Sequence, residues 1–224
     1  MNYLIPEKIS FQNDILLKLD TNKISGTKIL VIGGAGTIGS SYIKQLLKYK
    51  PSKITVVDIN ENGLTELTRD LRSSSLLDYN PEYITYPVNL LSDTFDKIFN
   101  SQRWDVVSNF SAHKHVRSEK DKISVEALIK NNVYGAIKLL NLCKLSPPKY
   151  FFSVSTDKAA NPVNIMGASK SLMEKLILSK KDQFRVSTAR FANVAFSNGS
   201  LLDGFIYRLN KKQPLSCPSD IKRF

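Results

Sequence analysis

A doubly wound parallel α/β sheet is the fold this 224-residue sequence predicts, and three features carry the prediction. Short apolar runs without polar alternation recur along the chain, as strands covered on both faces require. Helically spaced segments lie between them, the order of a parallel sheet built from crossover units. Four glycines crowd into one seven-residue stretch, Gly33-Gly34-Ala35-Gly36-Thr37-Ile38-Gly39, between the first apolar run and the first helical segment.

The elements follow in order. Lys28–Gly33 reads as a buried strand. Thr37–Tyr49 has helical spacing through Ile38, Tyr42, Ile43, Leu46 and Leu47. Ile54–Asp58 is a second strand, and Leu64, Leu67 and Leu71 share one side of a helix over Leu64–Leu71. Further strands are expected at Tyr83–Val88, Asp105–Phe110, Tyr150–Val154 and Arg185–Arg190, with helices near Val125–Leu145 and Ile165–Ser179. Residues 1–26 precede the first strand. Phe11, Ile15, Leu16 and Leu19 fall on one face of a short helix there, read as a packing arm or a subunit contact. There is no internal repeat and no low-complexity tract.

Bulk properties narrow the class. Hydrophobic residues make up 42% and charged residues 23%, a globular balance with enough apolar material for a substantial core. No apolar run approaches the ~18 residues of a membrane span. The opening MNYLIPEKIS lacks a basic leader followed by an apolar stretch, so no secretory signal is expected. Cys143 and Cys217 stand far apart and fit no paired metal spacing. A reduced, cytoplasmic protein is the expectation. The formal charge is +12, from 32 basic and 20 acidic residues, which suggests an anionic partner. The lysines are scattered, without a basic stripe or an aromatic-rich motif, so no nucleic acid is expected; solvated surface lysine accounts for most of the surplus, and a phosphate-bearing small substrate for part of the rest.

The glycine stretch points to a dinucleotide. Gly33, Gly36 and Gly39 satisfy GxxGxxG; Gly34, Gly36 and Gly39 satisfy GxGxxG. A tight turn needs backbone angles that side chains resist. A missing side chain lets a pyrophosphate approach the backbone, and the last glycine lets helix and strand pack closely. The amides at Thr37, Ile38 and Gly39 then open the helix toward the phosphates. Asp58 closes the second strand 19 residues after Gly39. A carboxylate there bonds the adenosine ribose hydroxyls and repels a ribose phosphate, which favours NAD over NADP. The expected architecture is therefore Rossmann-like, with helices on both faces.

The second half carries more specific text. Ser155-Thr156-Asp157-Lys158-Ala159-Ala160-Asn161-Pro162 leads to Met166-Gly167-Ala168-Ser169-Lys170. Ala112-His113-Lys114-His115-Val116, Asn132-Val133-Tyr134-Gly135, Arg190-Phe191-Ala192-Asn193-Val194 and Arg223-Phe224 complete the ordered set. From about Thr27 to the last residue the chain resembles the nucleotide-sugar 4,6-dehydratases of polysaccharide biosynthesis, in the extended short-chain dehydrogenase/reductase superfamily. The matching family segments are STDKA…NP…(M/Y)GxxK, A-x-K-H-V, N-V-x-G, R-x-x-N-V and R-F. Met166 takes the place of the superfamily's usual Tyr, as in some dehydratases of this family. Members usually run on into a substrate lobe, so residues from about 195 are expected to open that lobe after a dinucleotide-binding domain beginning at 27. Some relatives carry N-terminal membrane helices; none is read here.

The resemblance implies a reaction and roles. A UDP-sugar, with UDP-N-acetylglucosamine favoured, loses water across carbons 5 and 6 while NAD takes a hydride from carbon 4 and returns it to carbon 6. Elimination needs one base and one acid. Lys158 is assigned to the carbon 5 proton and Asp157 to the leaving hydroxyl. To act as a base Lys158 must be partly neutral, and Lys170 and desolvation are expected to lower its pKa. Thr156 is expected to bond the carbon 4 oxygen and Lys170 to hold the nicotinamide ribose, with Asn132 supporting Lys170 through backbone or water. Met166 cannot move a proton, which leaves the group that deprotonates the carbon 4 hydroxyl open. Ala112 is expected beside the cofactor. Lys114, His115, Asn193 and Arg223 are candidate substrate contacts, His115 alternatively packing near the cofactor and Lys114 facing solvent. His113 and His115 lack a third ligand, so no metal is expected. A homo-oligomer is expected from the fold. Two other readings stand beside this one, a sugar-nucleotide 4-epimerase and a non-catalytic dinucleotide-binding protein.

Overall fold

The computed structural model describes residues 23–113, 119–197 and 199–215. Residues 1–22 of the expected 1–26 arm and the candidate residues Lys114, His115 and Arg223 lie outside the described residues.

Six strands form one parallel sheet in the order β3-β2-β1-β4-β5-β6. They are β1 (Lys28–Ile32), β2 (Lys53–Asp58), β3 (Glu82–Pro87), β4 (Val106–Asn109), β5 (Tyr150–Thr156) and β6 (Arg185–Phe191). The helices between them are α1 (Thr37–Leu47), α2 (Glu61–Ser73), α3 (Asp93–Asn100), α4 (Lys122–Ile129), α5 (Gly135–Leu145) and α6 (Ile165–Leu178); α7 (Leu201–Asn210) follows β6. The chain moves from β1 outward to β3, then returns past β1 to β4. The order therefore reverses between β1 and β4, the point where open α/β sheets form their ligand crevice.

Strand residues explain why the apolar runs are continuous. Ile29 and Val31 point into a cluster with Ile43, Leu46 and Leu47 of α1 and Leu64, Leu67 and Leu71 of α2. Leu30 and Ile32 point the other way, into a cluster with Phe95, Ile98 and Phe99 of α3, Leu139, Leu140 and Cys143 of α5, and Met173 and Ile177 of α6. Period-two alternation sends neighbours to opposite faces, and here both faces are covered. Each fully buried Leu, Ile or Phe is worth about 1.5–3 kcal/mol.

The structure departs from the sequence-based expectation at four elements. Helices α3 and α7 were not read. The text of α3, DTFDKIFN, is short and polar at five positions, yet Phe95, Ile98 and Phe99 sit at helical spacing and are buried. The segment expected near Val125–Leu145 starts earlier, at Lys122, and is interrupted. Lys130–Tyr134 is one π-helical turn joining α4 to α5, and such wide turns concentrate at functional sites. The second helix also starts earlier, at Glu61, because Asn60 caps it by accepting from the Gly63 amide at 2.9 Å.

Among the described residues, no helix is long and apolar enough to cross a membrane.

Candidate functional site

A cavity of about 930 Å³ opens at the carboxyl ends of the strands. Its wall includes Gly33, Gly36, Thr37, Ile38 and Gly39, Asp58, Ala112 and His113, Thr156, Lys158, Met166 and Lys170, and Asn193. One space thus brings together all seven expected cofactor positions in the first 112 residues and four of the six catalytic candidates.

The glycine turn is built for backbone approach. Gly33 has φ +75°, and a Cβ there would lie 2.5 Å from the Ser111 nitrogen at the end of β4. A Cβ on Gly39 would collide with the Gly33 oxygen and lie 2.9 Å from the Gly34 Cα. Gly36 differs. Its φ is −73°, which any residue adopts, and a Cβ would meet only the Gly33 oxygen at an ordinary 3.6 Å. Packing does not need a glycine at 36; the bare backbone there serves the cavity.

Helix α1 begins at this turn without a side-chain cap and without an acidic residue in its first turn. The other helices that start from loops are capped by side chains: Asn60 on α2, Ser92 on α3, Asp121 on α4, Asn164 on α6 and Ser200 on α7. An uncapped N-terminus facing a cavity favours an anion through its amides and its dipole. Asp58 closes the far side. Its carboxylate accepts from the Ala35 amide at 2.9 Å and from the Asn60 amide at 2.9 Å, which fixes it beside the turn.

The opposite wall is made of side chains. Thr156 ends β5, and its hydroxyl donates to Asp157 at 2.8 Å. Asp157 also accepts from the Lys158 amide at 2.9 Å and pairs with Lys158 Nζ at 3.2 Å. The Thr156 hydroxyl first, and Lys158 after it, hold the Asp157 carboxyl below the usual range. Asp157 is exposed and does not line the cavity, whereas Lys158 does.

The desolvation expected at Lys158 falls on Lys170 instead. The Lys158 side chain is 41% exposed and ion-paired. Lys170 is 3% exposed, and its Nζ donates to the Val154 carbonyl at 3.2 Å. Burial pushes the Lys170 ammonium down to about 8, against the pull of the Glu174 carboxylate. About a tenth of it is neutral near pH 7.

Asn132 sits in the π turn, 2% exposed. Its amide bonds both backbone groups of His113, at 2.9 and 3.1 Å, and the Ser169 hydroxyl at 3.1 Å. No direct bond from its side chain to Lys170 is present; it ties the end of β4 to the residue preceding Lys170.

Three residues to which sequence reasoning gave no role shape this wall. Glu119 accepts from the Met166 amide at 2.7 Å, anchoring the segment after β4 on the start of α6. Glu174 and Arg190 form a bidentate pair beneath Lys170. Helical spacing of Lys170 and Glu174 was a legible signal; the Glu119 contact, across 47 positions, was not.

A parallel sheet reversing at β1, with a glycine turn facing Thr156, Lys158 and Lys170 across one cavity, defines a fold of the short-chain dehydrogenase/reductase type. The chain belongs to the polysaccharide biosynthesis protein family, whose model matches residues 29–224. It is 32% identical over 187 residues to a UDP-N-acetylglucosamine 4,6-dehydratase (inverting) of Campylobacter jejuni, covering 81% of this chain and 53% of that protein. It is 35% identical over 205 residues to an uncharacterized membrane protein of Methanocaldococcus jannaschii, covering 88% of this chain and 58% of that one. The probable polysaccharide biosynthesis protein EpsC of Bacillus subtilis is 29% identical over 202 residues, which cover 88% of this chain and 33% of EpsC. The chain thus spans from a third to under three fifths of these relatives. Among solved structures, Pen from Bacillus thuringiensis matches with a TM-score of 0.74 at 25% identity, over 87% of this chain and 60% of that one.

Among the described residues no cluster of three His, Cys, Asp or Glu could hold a metal ion.

Proposed function

We propose that this chain binds NAD and, with it, dehydrates a UDP-sugar to the 4-keto-6-deoxy product for polysaccharide biosynthesis, with UDP-N-acetylglucosamine the favoured substrate. The observation that carries the reading is the single cavity faced by a bare, uncapped helix start on one wall and by Thr156, Lys158 and Lys170 on the other.

The residues present fit a dinucleotide. Gly36 leaves its backbone open where packing does not ask for it, the start of α1 offers amides to a pyrophosphate, and Asp58 suits ribose hydroxyls better than a ribose phosphate. When bound, NAD supplies reversible hydride acceptance. Lys170 holds a ribose and lends positive charge beside the carbon 4 oxygen, where negative charge develops. The Thr156 hydroxyl bonds that oxygen. Transfer of a proton within the Lys158–Asp157 pair leaves Lys158 neutral and Asp157 protonated; Lys158 then takes the proton from carbon 5, and Asp157 gives its proton to the carbon 6 hydroxyl, which leaves as water. Because Asp157 lies off the cavity wall and donates nothing while ionised, this role requires Asp157 and Lys158 to separate once sugar enters. Asn193 on the cavity wall is assigned to the diphosphate. Residues from about 195 open the substrate lobe, and the assembly is a homo-oligomer.

A 4-epimerase is the competing outcome, since a UDP-glucose 4-epimerase of Rickettsia bellii is 27% identical over 197 residues. Met166 argues against it, because epimerisation of this kind leans on a Tyr there. Incubation with NAD and a panel of UDP-sugars, read by mass, decides. Loss of water is expected for the intact chain. In Lys158→Ala, turnover should fall at least about 100-fold with NAD affinity unchanged. A product of unchanged mass means epimerisation, and undiminished dehydration by Lys158→Ala removes Lys158 from the chemistry.

A further inference from the structure

Beneath the cavity, Glu174 of α6 and Arg190 of β6 form the most completely satisfied ion pair among the described residues. Arg190 Nε donates to both oxygens of Glu174, at 2.9 and 3.2 Å, and Nη2 donates to Oε2 at 2.6 Å. The Glu174 side chain is 6% exposed, and that of Arg190 is 48% exposed. Arg190 reaches α6 because β6 runs beside β5 in register, Ser155 opposite Arg190.

Glu174 stands one helical turn after Lys170, on the same face of α6. An unoccupied carboxylate there would compete for the Lys170 ammonium. Four residues is the spacing at which acid and base on one helix pair, and little water reaches either group to weaken the attraction. Lys170 nevertheless donates to the Val154 carbonyl, and Glu174 is taken by Arg190. The charged groups around Lys170 divide accordingly. Glu174 lies along its own helix and Arg190 comes from β6. Lys158 shares the cavity wall and carries Asp157 beside it, and His113 lies on that wall from the end of β4.

We propose that Arg190 is a positioning residue that acts through Glu174: by occupying both carboxylate oxygens it keeps Glu174 off the Lys170 ammonium, which stays turned toward the Val154 carbonyl and the cavity. This rests on the reading of Lys170 as a working cation of that cavity, but the arrangement is testable without turnover. Two effects share one sign. Loss of Arg190 removes a nearby positive charge and frees a carboxylate, and each makes Lys170 hold its proton more tightly.

The test is a pH titration of the lysine 13Cε resonances of the whole chain, with Lys170 assigned by its absence in Lys170→Met. In the unaltered protein its midpoint is expected at about 8. Arg190→Gln should raise that midpoint by at least about one unit, a tenfold gain in proton affinity. Glu174→Gln should lower it, and the double variant should lie at or below the unaltered value. A purely structural pair would lower the melting temperature of both single variants and leave the Lys170 midpoint in place, and that result overturns the proposal. Should Arg190→Gln fail to fold, Arg190→Lys decides alone: it keeps the charge but cannot occupy both carboxylate oxygens, so a raised Lys170 midpoint supports the proposal and an unmoved one rejects it. Because no sugar nucleotide enters the measurement, a chain that dehydrates nothing leaves this result standing.

Discussion

The turn after β1 and the turn after β5 lie at the same edge of the sheet and face the same cavity, yet they are made of opposite materials. The first is backbone. Gly33, Gly36 and Gly39 withdraw their side chains so that amides and carbonyls form the surface. The second is side chain. Thr156, Lys158 and Lys170 reach in from a strand end, a short 3-10 turn and a helix. A backbone surface can recognise a group common to many substrates, such as a pyrophosphate, but has no titratable atom. A side-chain surface can move protons, but every member must be held by something behind it. That explains why the wall after β5 has a network behind it, Asn132, Ser169, Glu119, Glu174 and Arg190, and the wall after β1 has mainly van der Waals contact.

The largest expected effect breaks the first wall. In Gly39→Val the added atoms meet the backbone of Gly33 and Gly34, which cannot give way as a flexible side chain would. Overpacking of this kind costs about 3 kcal/mol, and NAD binding should vanish in calorimetry along with a drop in melting temperature. Gly36→Val is the contrast. With only the Gly33 oxygen near, at 3.6 Å, the melting temperature should hold while NAD affinity falls at least about tenfold. Equal NAD affinity in Gly36→Val and the unaltered chain would show that this turn does not touch the dinucleotide.

A middle-sized effect tests the second wall through pH. Lys170 titrates at about 8 in the folded chain against an ordinary 10.5. Its folded value is depressed by burial, so above 10.5 the group is neutral in both states and costs nothing. As pH falls from 10.5 toward 8, the unfolded chain gains a proton that the folded chain does not, and stability declines; below 8 the penalty is constant. Two and a half units correspond to about 3 kcal/mol. Tyr79 and Cys143, both pushed up to about 12 by burial, act oppositely at high pH, so the measurement must be a difference. Lys170→Met should exceed the unaltered chain in stability at pH 8 by about 3 kcal/mol more than at pH 10.5, read from denaturant unfolding at the two pH values. A pH-independent difference would mean that Lys170 is not desolvated.

How far the sequence discloses these walls follows from their materials. The first was legible because its determinants are local. Glycine spacing, an apolar strand and a closing carboxylate lie within 31 residues, Lys28 to Asp58, and each has a short-range physical meaning. The second was legible only in its front rank. Thr156, Lys158, Met166 and Lys170 were picked out by their resemblance to a family segment, but their environments were not. Desolvation was expected at Lys158, and it is Lys170 that carries it, because burial depends on which face of α6 meets β5. Asn132 was expected to support Lys170 through backbone or water; the bonds it makes, to His113 and to Ser169 beside Lys170, follow from the π turn, which no periodicity announces. Helix α3 escaped because eight residues give a helical pattern barely two turns in which to repeat.

The smallest effect concerns Glu119, whose carboxylate links the segment after β4 directly to the Met166 amide at the start of α6. It accepts from the Met166 amide at 2.7 Å while Asn164 accepts from the Gly167 amide at 2.8 Å, so two of the orphan amides that open α6 are satisfied by side chains of different origin. Asn164 is local and caps the helix whatever else moves. Glu119 is remote, and its loss uncouples two pieces of the same wall without emptying it. Glu119→Ala should therefore cost about 1 kcal/mol, the usual worth of a cap, and Glu119→Gln about half of that, because its amide oxygen still accepts but carries no charge for the helix dipole. Denaturant unfolding measures both. If Glu119 merely caps, NAD affinity stays the same in both variants. If it also sets the depth of Met166 in the cavity, Glu119→Ala lowers NAD affinity a few-fold and Glu119→Gln restores it, since the position of the Met166 amide depends on an acceptor being there and not on its charge.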